Sequence, residues 1–123
     1  MKDFFGIGRQ NLIVKKKIGE KINRLFKHNQ YILGPEVQLL EKKLSAFVGS
    51  KYCITTSSGT DALLISLICL GINQGDEVIV PNFSYIASAE VIKRVGATPI
   101  FVDIKRSDFN INEDLIKKKI SKK

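Results

Sequence analysis

The sequence predicts an α/β protein, a mainly parallel sheet flanked by helices, because strand-type runs alternate with helical segments along the chain. Three observations carry that expectation. Tyr52-Cys53-Ile54-Thr55-Thr56, Glu77-Val78-Ile79-Val80 and Thr98–Asp103 are rich in β-branched and aromatic residues. Before and between them, apolar residues recur at the three-and-four spacing of a helix face. Glycine or proline then punctuates most of the junctions. At 123 residues the chain is near the commonest domain size, so residues 1–123 are expected to form one folding unit.

The elements follow in order. Leu12, Ile13, Ile18, Ile22, Leu25 and Phe26 stand among lysines near helical spacing, which predicts an amphipathic helix from about Asn11 to Lys27. Gly34-Pro35 opens a second helix, since proline suits the first helical position; Val37, Leu40, Leu44, Phe47 and Val48 form its stripe and Gly49 ends it. A strand over Lys51–Thr56 leads through a glycine turn to a helix over Thr60–Leu70, apolar on every face and therefore expected to be buried, with Gly71 as its stop. The turn Asn73-Gln74-Gly75-Asp76 precedes strand Glu77–Val80, which Pro81 ends. A helix from about Ser84 to Arg94, capped by Gly96, leads to the run Thr98–Asp103, and a last helix begins near Asn112.

Composition narrows the function. Hydrophobic residues make up 44% and charged residues 26%, a globular rather than a disordered balance. No apolar run is long enough to span a bilayer, and Met1-Lys2-Asp3 lacks the apolar core of a signal peptide, so a cytoplasmic protein without membrane partners is expected. Cys53 and Cys69 lack metal-site spacing and His28 is the lone histidine, so the thiols are expected reduced in the core, with no metal site. The net charge of +8 comes mainly from the ends, Lys15-Lys16-Lys17 and Lys117-Lys118-Lys119 with Lys122 and Lys123. Such runs usually form solvated helix faces, and no basic stripe is interleaved with base-stacking aromatics, so nucleic acid is not an expected partner.

The most informative stretch is Ser57-Ser58-Gly59-Thr60-Asp61-Ala62-Leu63, between a strand-type run and an apolar helix. At a helix start the first backbone N–H groups have no internal partner, the dipole adds positive character, and the hydroxyls of Ser57, Ser58 and Thr60 offer further donors. Gly59 lets an anion approach the backbone. The residues alone leave two readings open, a phosphate cup or a plain helix cap. The segment Pro81-Asn82-Phe83-Ser84-Tyr85 also leaves the carboxyl end of a strand, where ligands of parallel sheets bind.

Together with these loops, Gly34-Pro35-Glu36-Val37, Ser58-Gly59-Thr60-Asp61-Ala62-Leu63, Gly75-Asp76-Glu77-Val78-Ile79-Val80-Pro81 and Phe101-Val102-Asp103-Ile104 resemble the DegT/StrS family of sugar-nucleotide aminotransferases. The resemblance runs from about Phe4 to the last residues. It implies the N-terminal portion of the large domain of the fold-type I architecture, with pyridoxal 5′-phosphate as cofactor. It also implies conversion of a keto-sugar nucleotide to an amino-sugar nucleotide, commonly with glutamate as amino donor, in surface polysaccharide or amino-sugar synthesis. By the same resemblance Ser58, Gly59 and Thr60, with the N–H of Asp61, hold the cofactor phosphate, and the ring of Tyr85 stacks on the pyridine ring.

Asp103 matches a structural position. The family's pyridine-binding Asp and Schiff-base Lys lie further along than this chain extends, and none of the sixteen lysines, Lys51, Lys93 and Lys105 included, has the Schiff-base context. The resemblance therefore implies a chain cut short, with three parallel strands of a larger sheet, inactive alone and homodimeric when full length. In Phe5-Gly6-Ile7 it departs from the family's Asp-Leu. The alternative is a small basic, non-catalytic binding module.

Overall fold

The computed structural model describes residues 6–121; the starting segment Met1-Lys2-Asp3, Phe4 and Phe5, where the resemblance begins, and the terminal Lys122 and Lys123 lie outside the described residues. The chain divides into two compact units, Met1–Ile54 and Thr55–Lys123.

The first unit holds two helices, α1 (Ile7–His28) and α2 (Pro35–Val48). Helix α1 begins a turn earlier than its apolar pattern suggested, because Gly6 adopts the left-handed conformation (φ 62°) and its carbonyl accepts the N–H of Gln10 at 3.2 Å. Its Lys15, Lys16 and Lys17 are exposed, a solvated face as expected. Asn29, also left-handed at φ 57°, closes the helix by donating its N–H to Leu25. Pro35 sits in the first turn of α2 with Glu36, and Gly49 at φ 70° caps the other end. At the corner, the N–H of Gln30 donates to His28 Nδ1 at 3.1 Å, which leaves Nε2 as the donor to Glu36 Oε1 at 3.2 Å. That hydrogen bond holds the Glu36 carboxyl below its usual range.

The expected strand over Lys51–Thr56 does not form. A strand exists only as one side of a ladder, and no described residue pairs with this run, so it is irregular despite its β-type composition.

The second unit contains α3 (Gly59–Cys69), β1 (Glu77–Pro81), α4 (Ala87–Arg94), β2 (Thr98–Val102) and α5 (Glu113–Lys119). Gly71 (φ 75°) stops α3, and Gly75 (φ 100°) shapes a turn closed by Asn73 N–H on Asp76 Oδ2 at 2.8 Å. Strands β1 and β2 pair in parallel, from Glu77 opposite Thr98 to Pro81 opposite Val102. Thr98 donates to the Asp76 carbonyl and Asn82 to the Val102 carbonyl, both at 2.9 Å. Thr98, Ile100 and Val102 thus turn their backbone groups toward β1, while those of Pro99 and Phe101 face the other way.

The core is small. Val80, Ile92 and Ala97 are its centre, with Leu67, Ile72, Val78 and Val95 packed against them; Val91, 1% exposed, and Val102 are also buried. Helix α3 packs on α4 but has no buried residue, and Leu63, Ile65 and Ile68 are exposed. The expectation of a buried helix was wrong for this reason: an all-apolar helix needs cover on every side, and here one side alone has it. The core thiols fail likewise. Cys53 is half-buried and Cys69 exposed, both free. Helix α4 starts at Ala87 rather than near Ser84, which leaves Tyr85 on the preceding loop. Asn112 caps α5 as expected, accepting the N–H of Asp114. No described helix is long and apolar enough to cross a membrane.

Candidate functional site

The site is built on the first turn of α3. Ser58 is its N-cap, with extended backbone, and its Oγ accepts the N–H of Asp61 at 3.1 Å. The Ser58 carbonyl accepts the first intrahelical bond, from Ala62, and also the hydroxyl of Thr56 at 2.9 Å. Gly59 and Thr60 then contribute the two leading N–H groups, which have no acceptor inside the helix. A Cβ built at Gly59 would meet no other part of the chain within 4 Å, so the surface beside these donors is open to a ligand. Two donors, a helix dipole and that space suit a phosphate group.

Asp61 is tied into the turn twice. Besides donating its N–H to Ser58, it accepts the Ser57 hydroxyl on Oδ2. The Ser57 hydroxyl first, and the Ser58 hydroxyl after it, hold the Asp61 carboxyl below the ordinary range. Sequence reasoning placed the Asp61 N–H in the donor set; the structure shows it engaged by Ser58. The pairing of Ser57 with the Asp61 side chain was missed, although their four-residue spacing across a helix start was the available signal.

Tyr85 lies on the loop between β1 and α4, 80% exposed, with its carbonyl accepting the N–H of Ser88. Leu63, one turn beyond Gly59, and Ser88, three residues beyond Tyr85, line the same hollow of about 200 Å³ over Val78–Val80. Helices α3 and α4 thus border one hollow, whose lining includes neither Tyr85 nor the Gly59–Asp61 turn, while the exposed Tyr85 ring leaves its face free for a planar ligand. Phe83, two residues before Tyr85, pairs with Phe109 at 6.1 Å between ring centres. Phe109 itself is left-handed, φ 59°, in the loop between β2 and α5.

Asp103, Lys51 and Lys105 have structural partners. Asp103 accepts the adjacent Ile104 N–H at 2.8 Å, and its carbonyl accepts that of Asn112. Lys51 lies over the Tyr52 ring. Lys105 pairs with Glu113 at 2.8 Å and with Asp108 at 3.8 Å; the Glu113 bond raises its pKa, the opposite of what an amine nucleophile needs. No cluster of metal-ligating side chains occurs among the described residues.

The profile of the DegT/DnrJ/EryC1/StrS aminotransferase family matches residues 13–123. A UDP-2-acetamido-2-deoxy-3-oxo-D-glucuronate aminotransferase of Pseudomonas aeruginosa is 46% identical over 121 residues, 98% of this chain and 34% of its own. An aminotransferase structure from Brucella abortus superposes with a TM-score of 0.89 at 37% identity, covering 95% of this chain and 31% of that one. NtdA of Bacillus subtilis, solved with bound cofactor PMP, superposes with a TM-score of 0.83 at 37% identity, covering 87% and 25%. The chain spans about a third of the length of the curated relatives it matches.

Proposed function

The chain belongs to the DegT/DnrJ/EryC1/StrS aminotransferase family, and from that premise we propose that it is the phosphate-gripping part of a pyridoxal 5′-phosphate-dependent sugar-nucleotide aminotransferase. The observation that carries this is the first turn of α3, where the leading N–H groups of Gly59 and Thr60 face open space beside the Ser58 cap. The cofactor, when bound, supplies a carbonyl that condenses with amines and a ring that accepts electrons. Gly59 and Thr60 hold its phosphate through their backbone N–H groups, the hydroxyls of Ser58 and Thr60 donate alongside, and Asp61 braces the turn. Tyr85 covers one face of the ring and excludes water from it.

The substrate is a keto-sugar nucleotide and the amino donor glutamate, in the synthesis of amino sugars for surface polysaccharide, by a cytoplasmic homodimer. Residues 1–123 alone are inactive, because transfer needs an amine that gives up its proton and a carboxylate at the ring nitrogen. Lys105 is engaged by Glu113, and Asp103 by the N–H of Ile104.

The test compares pyridoxal 5′-phosphate with pyridoxal, which lacks the phosphate, by titration of the chain. The phosphorylated form is expected to bind at least about tenfold tighter, the scale of two charge-assisted hydrogen bonds. Equal binding of the two would remove the phosphate cup. Amino transfer by residues 1–123 at an enzyme-like rate would overturn the claim of inactivity.

A further inference from the structure

Asp61 presents a difficulty for a phosphate cup, since a carboxylate sits in the first turn of the helix that is to receive an anion. Helix dipoles favour acidic residues there, yet a second negative charge nearby weakens anion binding. The hydrogen bonds show what the carboxylate does. Its oxygen takes the Ser57 hydroxyl, its N–H goes to Ser58 Oγ, and Thr56 closes onto the Ser58 carbonyl. The segment from Thr56 to Asp61 is thereby fixed from both sides of Gly59, the residue with least intrinsic preference for one conformation. The Ser57 hydroxyl proton is committed to Asp61, which leaves the N–H groups of Gly59 and Thr60 as the free donors of the turn.

We infer that Asp61 is a positioning residue: its carboxylate, as hydrogen-bond acceptor for Ser57 rather than as a charge, preforms the turn that presents the Gly59 and Thr60 N–H groups to phosphate. This rests on the phosphate-cup reading above. A neutral acceptor of the same shape does the same work, so Asp61→Asn and Asp61→Ala behave differently. Ser57→Ala removes the other end of the same bond and behaves as Asp61→Ala does.

The experiment uses the full chain with pyridoxal 5′-phosphate and pyridoxal as probes, and reads amide exchange of Asp61 and Ala62, whose N–H groups Ser58 holds, without ligand. Asp61→Ala and Ser57→Ala are each expected to lower affinity for the phosphorylated probe about tenfold, in the range of a lost cap bond, and to leave pyridoxal binding unchanged. Combined, they cost no more than either alone. Asp61→Asn retains wild-type affinity or exceeds it. Faster amide exchange in the two alanine variants, but not in Asp61→Asn, supports the brace whether or not ligand is present. If Asp61→Asn loses as much as Asp61→Ala, or if both alanine variants bind and exchange as wild type does, the inference is wrong. Wild-type chain that binds both probes equally sinks the phosphate-cup reading, and the inference with it.

Discussion

Two glycines show how differently the same residue type is used. A Cβ at Gly34 would lie 2.2 Å from the carbonyl oxygen of Gln30, backbone that cannot swing aside, whereas one at Gly59 would meet nothing. Gly34→Ala is therefore expected to lower stability by about 1–3 kcal/mol, the cost of overpacking, read as a shift in urea midpoint. Gly59→Ala should fold with stability changed by no more than about 0.5 kcal/mol, yet retain pyridoxal 5′-phosphate less well because a methyl group narrows the approach to the helix start. The His28–Glu36 pair carries a pH signature. Glu36 has a depressed folded-state pKa, so its contribution is present above the ordinary carboxylate range and is lost as pH falls through the depressed value. Glu36→Gln should be less stable than wild type at neutral pH and equal to it in strong acid, measured by urea unfolding at both.

Among the elements, those with local stop and start chemistry were legible. Gly34-Pro35 and Gly49 bound α2, Ser58 and Gly71 bound α3, and Asn112 starts α5, because caps are settled within a few residues of chain. What depends on distant neighbours was not legible. The run Tyr52–Thr56 has strand composition without a ladder partner, and α3 has the composition of a buried helix without cover. Tyr85 was placed near the start of α4, yet the helix begins two residues later. In the candidate site, the cap and its glycine could be read from residue type, but the Ser57 to Asp61 bond required knowing how the turn closes. The same contrast predicts mutational costs. Val91→Ala, on the buried face of α4, should cost about 2 kcal/mol, whereas Ile68→Ser on the exposed side of α3 should stay within about 0.5 kcal/mol, both by chemical denaturation.

For the molecule as a whole, exposed apolar side chains are numerous: Leu12, Ile32, Phe47, Ile54, Leu70 and Phe83 are all more than half exposed. Patches of this kind bind hydrophobic dyes, so the chain is expected to enhance the fluorescence of anilinonaphthalene sulfonate at neutral pH, and a dye-silent chain would show that these residues are covered in solution. The two-stranded sheet adds a direction to this exposure. Every backbone group on the outer side of β2 is available to a new strand except at Pro99, which has no N–H to offer. Proline in a strand is at home on a border and not in an interior. Pro99→Val restores the missing donor, and concentration-dependent association by light scattering should rise in that variant. β2 is in this sense the shore of the sheet, a border that a single ring keeps from becoming a landing place.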